Sequence, residues 1–208
     1  MTAHIAAQEN GSRARPAQVA RRWIAFDARW CRTCRVCETM CAIYHEGAAR
    51  PALARIRVTF DEFPQATSES VAIEDPAAAL DFVSASVCLQ CADAPCVEAC
   101  PTHSLSRDAR SGAIVVDTDP DSETACIGCM RCRRACPWDV PVRHPEHKVA
   151  VKCDLCAERE GGPLCVEMCP LSGKALRVEQ EQAGHSDRTA PAAVGHASSV
   201  THPVEAAR

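Results

Sequence analysis

Aromatic side chains are scarce in this sequence of 208 residues, where they make up only 4% and include a single tyrosine. Much of the 47% hydrophobic content is alanine and cysteine, so side-chain packing alone would give a weakly stable core. Chains with a poor core commonly gain stability from disulfides or bound metals. The composition therefore predicts that something other than apolar packing holds this fold together.

The sequence also lacks the patterns of several functional classes. No apolar run approaches the roughly 20 residues that cross a membrane, and no apolar segment of an export signal follows the Arg21-Arg22 pair. There is no GxGxxG, P-loop or Ser-His-Asp pattern, and a net charge of -4 gives no basic field for nucleic acid. We therefore expect a cytoplasmic protein with no catalytic residues, no transmembrane segment and no nucleic-acid partner.

Cysteine, in contrast, is abundant, with 16 in the chain. Residues 126–137, CIGCMRCRRACP, space four cysteines as CxxCxxCxxxC and end in proline. This spacing is typical of bacterial ferredoxins, in which three thiolates hold one 4Fe-4S cluster and the fourth holds the other cluster of a pair. The four runs, numbered in chain order, are Cys31, Cys34, Cys37, Cys41; Cys88, Cys91, Cys96, Cys100; Cys126, Cys129, Cys132, Cys136; and Cys153, Cys156, Cys165, Cys169.

Disulfides and zinc are the alternatives for cysteines at this density. Disulfides are disfavoured because no secretion signal is visible and reducing compartments keep thiols free for metal. Structural zinc prefers two CxxC pairs on separate hairpins, which runs two and four could supply. Runs one and three instead place three thiolates on one tight loop, and proline follows the fourth cysteine in three of the four runs, which favours cubanes. We expect four 4Fe-4S clusters, the alternative being a mixed complement with one altered cluster.

The chain lengths between runs predict which of them share a ferredoxin unit. The 25 residues between Cys100 and Cys126 leave room for a hairpin, so runs two and three are paired inside a unit made from runs one and four. Consecutive pairing, with Cys41 beside run two, is the alternative. The predicted iron ligands are Cys31, Cys34, Cys37 and Cys169 for cluster 1; Cys41, Cys153, Cys156 and Cys165 for cluster 2; Cys88, Cys91, Cys96 and Cys136 for cluster 3; and Cys100, Cys126, Cys129 and Cys132 for cluster 4.

Local patterns predict an α+β fold of two nested dicluster ferredoxin-like units with short helices and hairpins. The outer unit would comprise residues 21–87 and 137–179 and the inner unit residues 88–136, with a disordered arm at 1–20 and a disordered tail at 180–208. Strands are expected from Trp23 and at residues 56–60, a helix near Cys37 that Gly47 ends, and hairpins around residues 107–112 and Pro145.

Three side chains near the cysteines could act on the clusters. Trp30 precedes Cys31 and is interpreted as an apolar lid rather than an electron relay. His45 is interpreted as a polar residue at a helix end, because four cysteines already serve each site. Lys152, next to Cys153, would tune a cluster potential, balance cluster charge or dock a partner.

The segments CLQCADAPCVEACP, CIGCMRCRRACPWDVP, KCDLCAERE and PLCVEMCP, in that order, resemble the four-cluster electron-transfer subunits of the dimethyl sulfoxide reductase, formate dehydrogenase and polysulfide reductase complexes. CRTCRVCETMCAIYHEG, followed by RPALARIRV, is more similar to soluble members that accompany tungsten aldehyde oxidoreductase, CO dehydrogenase or hydrogenase. The resemblance covers residues 23–177, although Ala42 replaces the proline expected after run one.

This resemblance implies the same nested pairing and a role in electron transfer. The chain would pass single electrons between a catalytic subunit, often one with a molybdenum or tungsten pterin, and a second electron carrier. The alternative function is a free-standing polyferredoxin, or a carrier of electrons or clusters, with no permanent catalytic partner.

Overall fold

The described part of the chain comprises residues 20–60 and 83–181 of a computed structural model. It contains four antiparallel strand pairs, four short α-helices and two 3-10 helices, joined by loops. The strands are β1 (Arg22–Phe26), β2 (Ile56–Phe60), β3 (Val83–Val87), β4 (Leu105–Arg107), β5 (Ile114–Val116), β6 (Val142–Arg143), β7 (Ala150–Val151) and β8 (Leu176–Gln180). The helices are α1 (Val36–Glu46), α2 (Pro95–Glu98), α3 (Arg131–Ala135) and α4 (Leu164–Glu167). The fold is therefore a mixture of small helices and strands.

The predicted local elements are present in the structure. Helix α1 ends at Gly47, which has a left-handed φ of 68° and donates its backbone N–H to the Ile43 carbonyl at 3.0 Å. The strand from Trp23, the strand at residues 56–60 and the two later hairpins also form. The predicted arm up to residue 19 and the predicted tail after residue 181 lie outside the described residues, as do residues 61–82.

Strands β1 and β8 join the two ends of the described chain. They pair antiparallel, with Arg22 opposite Gln180 and Phe26 opposite Leu176. Gln180, which the sequence analysis assigned to the tail, is thus the last residue of β8. The other sheets are also antiparallel pairs: β2 with β3, β4 with β5, and β6 with β7.

The helices also pair the first element with the last: α1 packs against α4, and α2 packs against α3. One buried cluster combines Ile24, Ile56 and Leu176 with cysteines of several runs. A second, smaller cluster combines Leu105 and Ile114 with cysteines. Cysteine side chains thus take positions that larger apolar residues fill in ordinary cores. Within the described ranges, no helix has the length and apolar character needed to cross a membrane.

Candidate iron-sulfur centres

Each cysteine run opens with a CxxC loop whose residue before the second cysteine adopts left-handed backbone geometry. The φ angles are 51° at Thr33, 51° at Gln90, 64° at Gly128 and 57° at Leu155. Left-handed geometry is costly for residues other than glycine, and it persists where the surrounding structure demands it. The four loops therefore have one common turn, which curls the backbone around the thiols.

The predicted ligands of cluster 1 line one apolar cavity of about 100 Å³. Its wall contains Cys31, Cys34, Cys37 and Cys169, together with Phe26, Trp30, Val58, Leu171 and Leu176. Burial raises the pKa of Cys37 to about 12, and the negative charges of Cys31 and Cys169 add to the rise. Trp30 lies at the rim, 39% exposed, with the Lys174 ammonium 4.4 Å from its ring centroid.

The predicted ligands of cluster 3 line a second cavity. Cys88, Cys91, Cys96 and Cys136 contribute to its wall, with Ile114, Trp138, Val140 and Lys152. Burial raises the pKa of Cys96 to about 11; the Lys152 charge opposes this, while the charges of Cys88 and Cys136 add to it.

The predicted ligands of cluster 2 are all buried. Burial raises the pKa of Cys41 to about 11, with a further rise from the charge of Cys156. Burial likewise raises the pKa of Cys165 far above the ordinary range, and the charges of Cys41 and Cys156 add to it. The pKa of Cys153 is raised by burial and then by Cys165. These four thiols therefore interact with one another although they come from runs one and four.

The predicted ligands of cluster 4 come from runs two and three. Burial raises the pKa of Cys132, and the charges of Cys126, Cys129 and Cys100 add to it. Cys100 differs from the other thiols: burial works against ionisation, but hydrogen bonds from the Ser104 hydroxyl at 3.2 Å and from Thr102 lower its pKa to about 7.

Four thiols in a largely apolar setting are the donor set of a 4Fe-4S cluster, so the residues present fit this cofactor. Burial raises the pKa of nine of the sixteen thiols, whereas bound iron would stabilise the thiolates. Backbone N–H groups also donate to sulfur atoms. The nitrogen of Arg55 lies 3.2 Å from Cys41 Sγ, and that of Ala150 lies 3.3 Å from Cys126 Sγ. The nitrogen of Thr33 lies 3.4 Å from Cys31 Sγ, and that of Gln90 lies 3.5 Å from Cys88 Sγ. Such bonds stabilise negative charge on sulfur and adjust a cluster's reduction potential.

Solvent exposure differs among the sets of thiols. Among the sixteen, only Cys34 and Cys129 are exposed, and they belong to the predicted ligands of clusters 1 and 4. The set for cluster 2 interacts electrostatically with its neighbours on both sides, through Cys165 with Cys37 and through Cys153 with Cys88. The predicted sets for clusters 1 and 4 thus each contain one exposed thiol, whereas every thiol of the set for cluster 2 is buried.

The sequence analysis missed the surroundings of His45. It places the residue correctly at the end of α1, but the side chain is 8% exposed, with Nε2 3.5 Å from Asp154 Oδ1 and 3.9 Å from Cys156 Sγ. Burial lowers the His45 pKa to about 4, and the charge of Arg55, itself 2.8 Å from Asp154, adds to the effect. No local signal could have found this contact, because Asp154 is more than a hundred residues away in the chain.

Gln90 is a second residue that the sequence analysis missed. Its side chain is fully buried; Nε2 donates to the Cys153 carbonyl at 2.8 Å, and Oε1 accepts from the Ile114 N–H at 2.8 Å. One amide thereby connects the loops of runs two and four with β5. A buried glutamine needs such partners, but the sequence does not show which they are.

Comparison with known proteins identifies the family. A family model described as a 4Fe-4S dicluster domain matches residues 79–180. The aliphatic sulfonate oxidoreductase, polyferredoxin-like subunit of Pyrococcus furiosus is 42% identical over 158 residues, which cover 75% of this chain and 76% of that protein. This chain belongs to the family of ferredoxin-type 4Fe-4S electron-transport proteins.

Two further relatives of this ferredoxin-type chain come from Escherichia coli (strain K12). The putative electron transport protein YsaA is 39% identical over 165 residues, 77% of this chain and 93% of that protein. The electron transport protein HydN is 32% identical over 195 residues, 81% of this chain and 97% of that protein. The ferredoxin-type chain is thus an iron-sulfur, non-catalytic electron-transfer protein, as the sequence predicts.

Solved structures give a weaker likeness. The active site complex BamBC of benzoyl coenzyme A reductase, as isolated, aligns with a TM-score of 0.41 and 22% identity over 82% of this chain and 83% of that chain. This similarity is too low to support a conclusion about the ferredoxin-type chain.

Proposed function

We propose that this chain holds four 4Fe-4S clusters, with the ligand sets predicted from the spacing of its cysteines. The observation that carries the proposal is the grouping of thiols across distant runs. Cys169 lines the same cavity as the first three cysteines of run one, and Cys136 lines the same cavity as the first three of run two. The interactions of Cys41 with Cys156 and of Cys132 with Cys100 support the other two sets. The pairing of β1 with β8 supports an outer unit, residues 21–87 and 137–179, around an inner unit, residues 88–136.

The same geometry supports an order for electron transfer, from cluster 1 through clusters 2 and 3 to cluster 4 or the reverse. Electrons enter and leave where a cluster approaches the surface, and the exposed thiols Cys34 and Cys129 lie in the two end sets. Some neighbouring sets are linked by cysteines four residues apart in the chain: α1 carries Cys37 and Cys41, which belong to the sets for clusters 1 and 2. Cys96 on α2 and Cys100, four residues later, belong to those for clusters 3 and 4.

We further propose that one end meets a catalytic oxidoreductase subunit and the other a second electron carrier. A cluster with four cysteine ligands has no open position for a substrate, so the substrate chemistry belongs to the partner. The relative named as a subunit of an aliphatic sulfonate oxidoreductase supports such a partner, and the family resemblance favours a molybdenum or tungsten pterin enzyme, CO dehydrogenase or hydrogenase. We place the protein in the cytoplasm, because a reducing compartment keeps sixteen thiols free for iron.

Metal analysis of anaerobically purified protein tests the cluster number. Four cubanes require about 16 iron and 16 sulfide per chain, and the protein should be brown. Stoichiometric zinc with iron near zero would reject the proposal. About 12 iron would indicate one missing cluster, and a value between about 12 and 16 one altered cluster.

Single cysteine variants separate the nested arrangement from the consecutive one. If runs one and four share a unit, Cys169→Ala and Cys34→Ala should remove the same component of the electron paramagnetic resonance (EPR) spectrum of the reduced protein, because both remove a ligand of cluster 1. Consecutive pairing would group Cys169 with run three, so Cys169→Ala would then match Cys129→Ala instead.

A free-standing electron carrier is the second candidate, supported by the naming of YsaA as a putative electron transport protein without mention of a complex. An affinity tag on the chromosomal gene discriminates between the two. A stoichiometric large subunit that co-purifies with the tagged chain supports the subunit role. A monomer that reduces several unrelated enzymes supports the free carrier.

A further inference from the structure

Lys152 is a buried cation whose hydrogen-bond partners are all uncharged. Only 3% of the residue is exposed, and its ammonium donates to the carbonyl of Ile114 and, at 2.9 Å, to the carbonyl of Cys153. Among the described residues, no carboxylate forms an ion pair with it. A buried charge is costly unless an opposite charge compensates it. Protein side chains therefore leave the charge of Lys152 without a counter-ion.

The thiols of two predicted clusters lie beside this cation, and as iron-bound thiolates they would supply the missing negative charge. Lys152 lines the same cavity as Cys88, Cys91, Cys96 and Cys136. It also directly precedes Cys153, which belongs to the neighbouring set for cluster 2 and interacts with Cys88. Lys152 thus lies where the sets for clusters 2 and 3 meet, in the buried middle of the molecule. Its burial also excludes partner docking, one of the three roles that the sequence left open.

We propose that Lys152 tunes the electron path by raising the reduction potential of cluster 3, and to a smaller degree that of cluster 2. This inference rests on the proposed four-cluster function. Reduction adds one negative charge to a cluster, and a nearby positive charge in a low-dielectric interior stabilises the reduced state. Lys152 acts on the iron through this field, so it is a positioning residue for charge rather than a ligand.

The proposed electron path needs a positive charge near clusters 2 and 3. Burial removes the solvation that stabilises the reduced form of a cluster. The predicted sets for clusters 2 and 3 contain no exposed thiol, so burial alone would lower their potentials relative to those of clusters 1 and 4. An electron would then have to pass through two clusters whose reduction potentials are lower than those at either end of the path. A fixed buried cation offsets this effect and keeps the inner clusters accessible to electrons that arrive from either end.

Redox titration followed by EPR tests the inference. Lys152→Met removes the charge at similar length, whereas Lys152→Gln removes the charge but retains a hydrogen-bond donor for the two carbonyls. The matched control is Lys174→Met, which removes an exposed ammonium next to the Trp30 ring beside the cluster 1 cavity. Each variant is first analysed for iron and sulfide, so that potentials are compared only between fully loaded proteins.

In both Lys152 variants, we expect the equilibrium constant for reduction of at least one cluster to fall about tenfold. This corresponds to a decrease of about 59 mV in the reduction potential of that cluster for one electron. Cys91→Ala and Cys156→Ala identify the affected component, because they remove ligands of clusters 3 and 2. The other potentials, and all four in the control, should change by less than this amount, since solvent screens an exposed charge.

Three results would overturn the inference: unchanged potentials in both fully loaded variants, an equal shift of all four clusters, or loss of iron from both variants. The last would assign Lys152 to cluster assembly. These outcomes are distinct from failure of the proposed function, which would appear as fewer than four clusters in the unmodified protein.

Discussion

Gly128, in the CxxC loop of run three, occupies a position where the surrounding backbone leaves no space for a side chain. A Cβ atom at this position would lie 1.7 Å from the backbone oxygen of Lys148, far inside any tolerable contact. The loop therefore needs glycine for two reasons, the left-handed φ of 64° and the close approach of the neighbouring hairpin turn. The other three loops make the same left-handed turn with Thr33, Gln90 and Leu155, whose side chains are accommodated.

We predict that Gly128→Ala prevents formation of cluster 4 and lowers the iron content by about four per chain. The methyl group must push the Lys148 backbone away, which displaces the loop that carries Cys126 and Cys129. Gly173→Ala is the matched control, because Gly173 has a φ of 79° but nothing within 4 Å of the added Cβ. The control should cost only about 1–2 kcal/mol of backbone strain and retain its iron. Equal iron in the two variants would show that the clash is relieved elsewhere.

For single residues, the sequence predicts candidate ligands but not the contacts that surround them. Cysteine spacing predicts the iron ligands because it follows from the shape of a cubane and a short loop. The contact of His45 with Cys156 and the bridge made by Gln90 depend on how distant segments meet, and no local pattern encodes them. Left-handed geometry at Thr33 and Leu155 is equally hidden, since neither residue type favours it.

Strand pair β1–β8 joins the two ends of the described chain, and the proposed outer unit depends on it. Ile24 in β1 is 1% exposed and belongs to the same buried cluster as Cys37 and Cys41. We predict that Ile24→Ala lowers the free energy of unfolding by about 2–5 kcal/mol through lost burial and a cavity. The variant should release iron to a chelator faster than the unmodified protein does.

Phe60→Ala provides the control for Ile24→Ala, since Phe60 lies in β2 but is 51% exposed. It should change the rate of iron release little. The time course of chelation measures both variants, and equal rates would show that β1 does not protect the clusters.

Elements made from neighbouring residues could be predicted from the sequence. Helix α1 and hairpins β4–β5 and β6–β7 follow from glycine positions and short apolar alternations. The partner of β1 could not be predicted in the same way. Ile24 faces Val178 across more than 150 residues of chain, and short strands of two to five residues contain too little pattern to select their partners.

The apolar core of the whole molecule is thin, so we expect its stability to depend on bound iron. Cysteines form a large part of both buried clusters, and burial raises the pKa of several of their thiols in the absence of iron. We predict that removal of iron abolishes cooperative unfolding across both halves of the chain together, since metal binding supplies much of the folding free energy. Thermal unfolding followed by circular dichroism measures this. A cooperative transition in iron-free protein would contradict the prediction.

A second prediction for the whole molecule concerns the chain after Glu181. All sixteen cysteines and strand β8 precede this point, so truncation there should leave iron content and unfolding temperature unchanged. Truncation after Ala175 is the matched comparison, because it also removes β8 and should cost cluster 1. Loss of iron from the shorter deletion would reveal a structural role for residues 182–208.

The joining of distant cysteines also fixes the order in which the sites can be completed during synthesis. Cys169 shares its cavity with Cys37, yet it leaves the ribosome 132 residues later, which is roughly 7–26 s at ordinary translation rates. With the proposed ligands, the last cysteine of cluster 4 is Cys132, and those of clusters 3, 2 and 1 follow as Cys136, Cys165 and Cys169. The first cysteines to be made are therefore the last to find all their partners, and run one must be kept reduced and free of stray metal until the chain is almost complete.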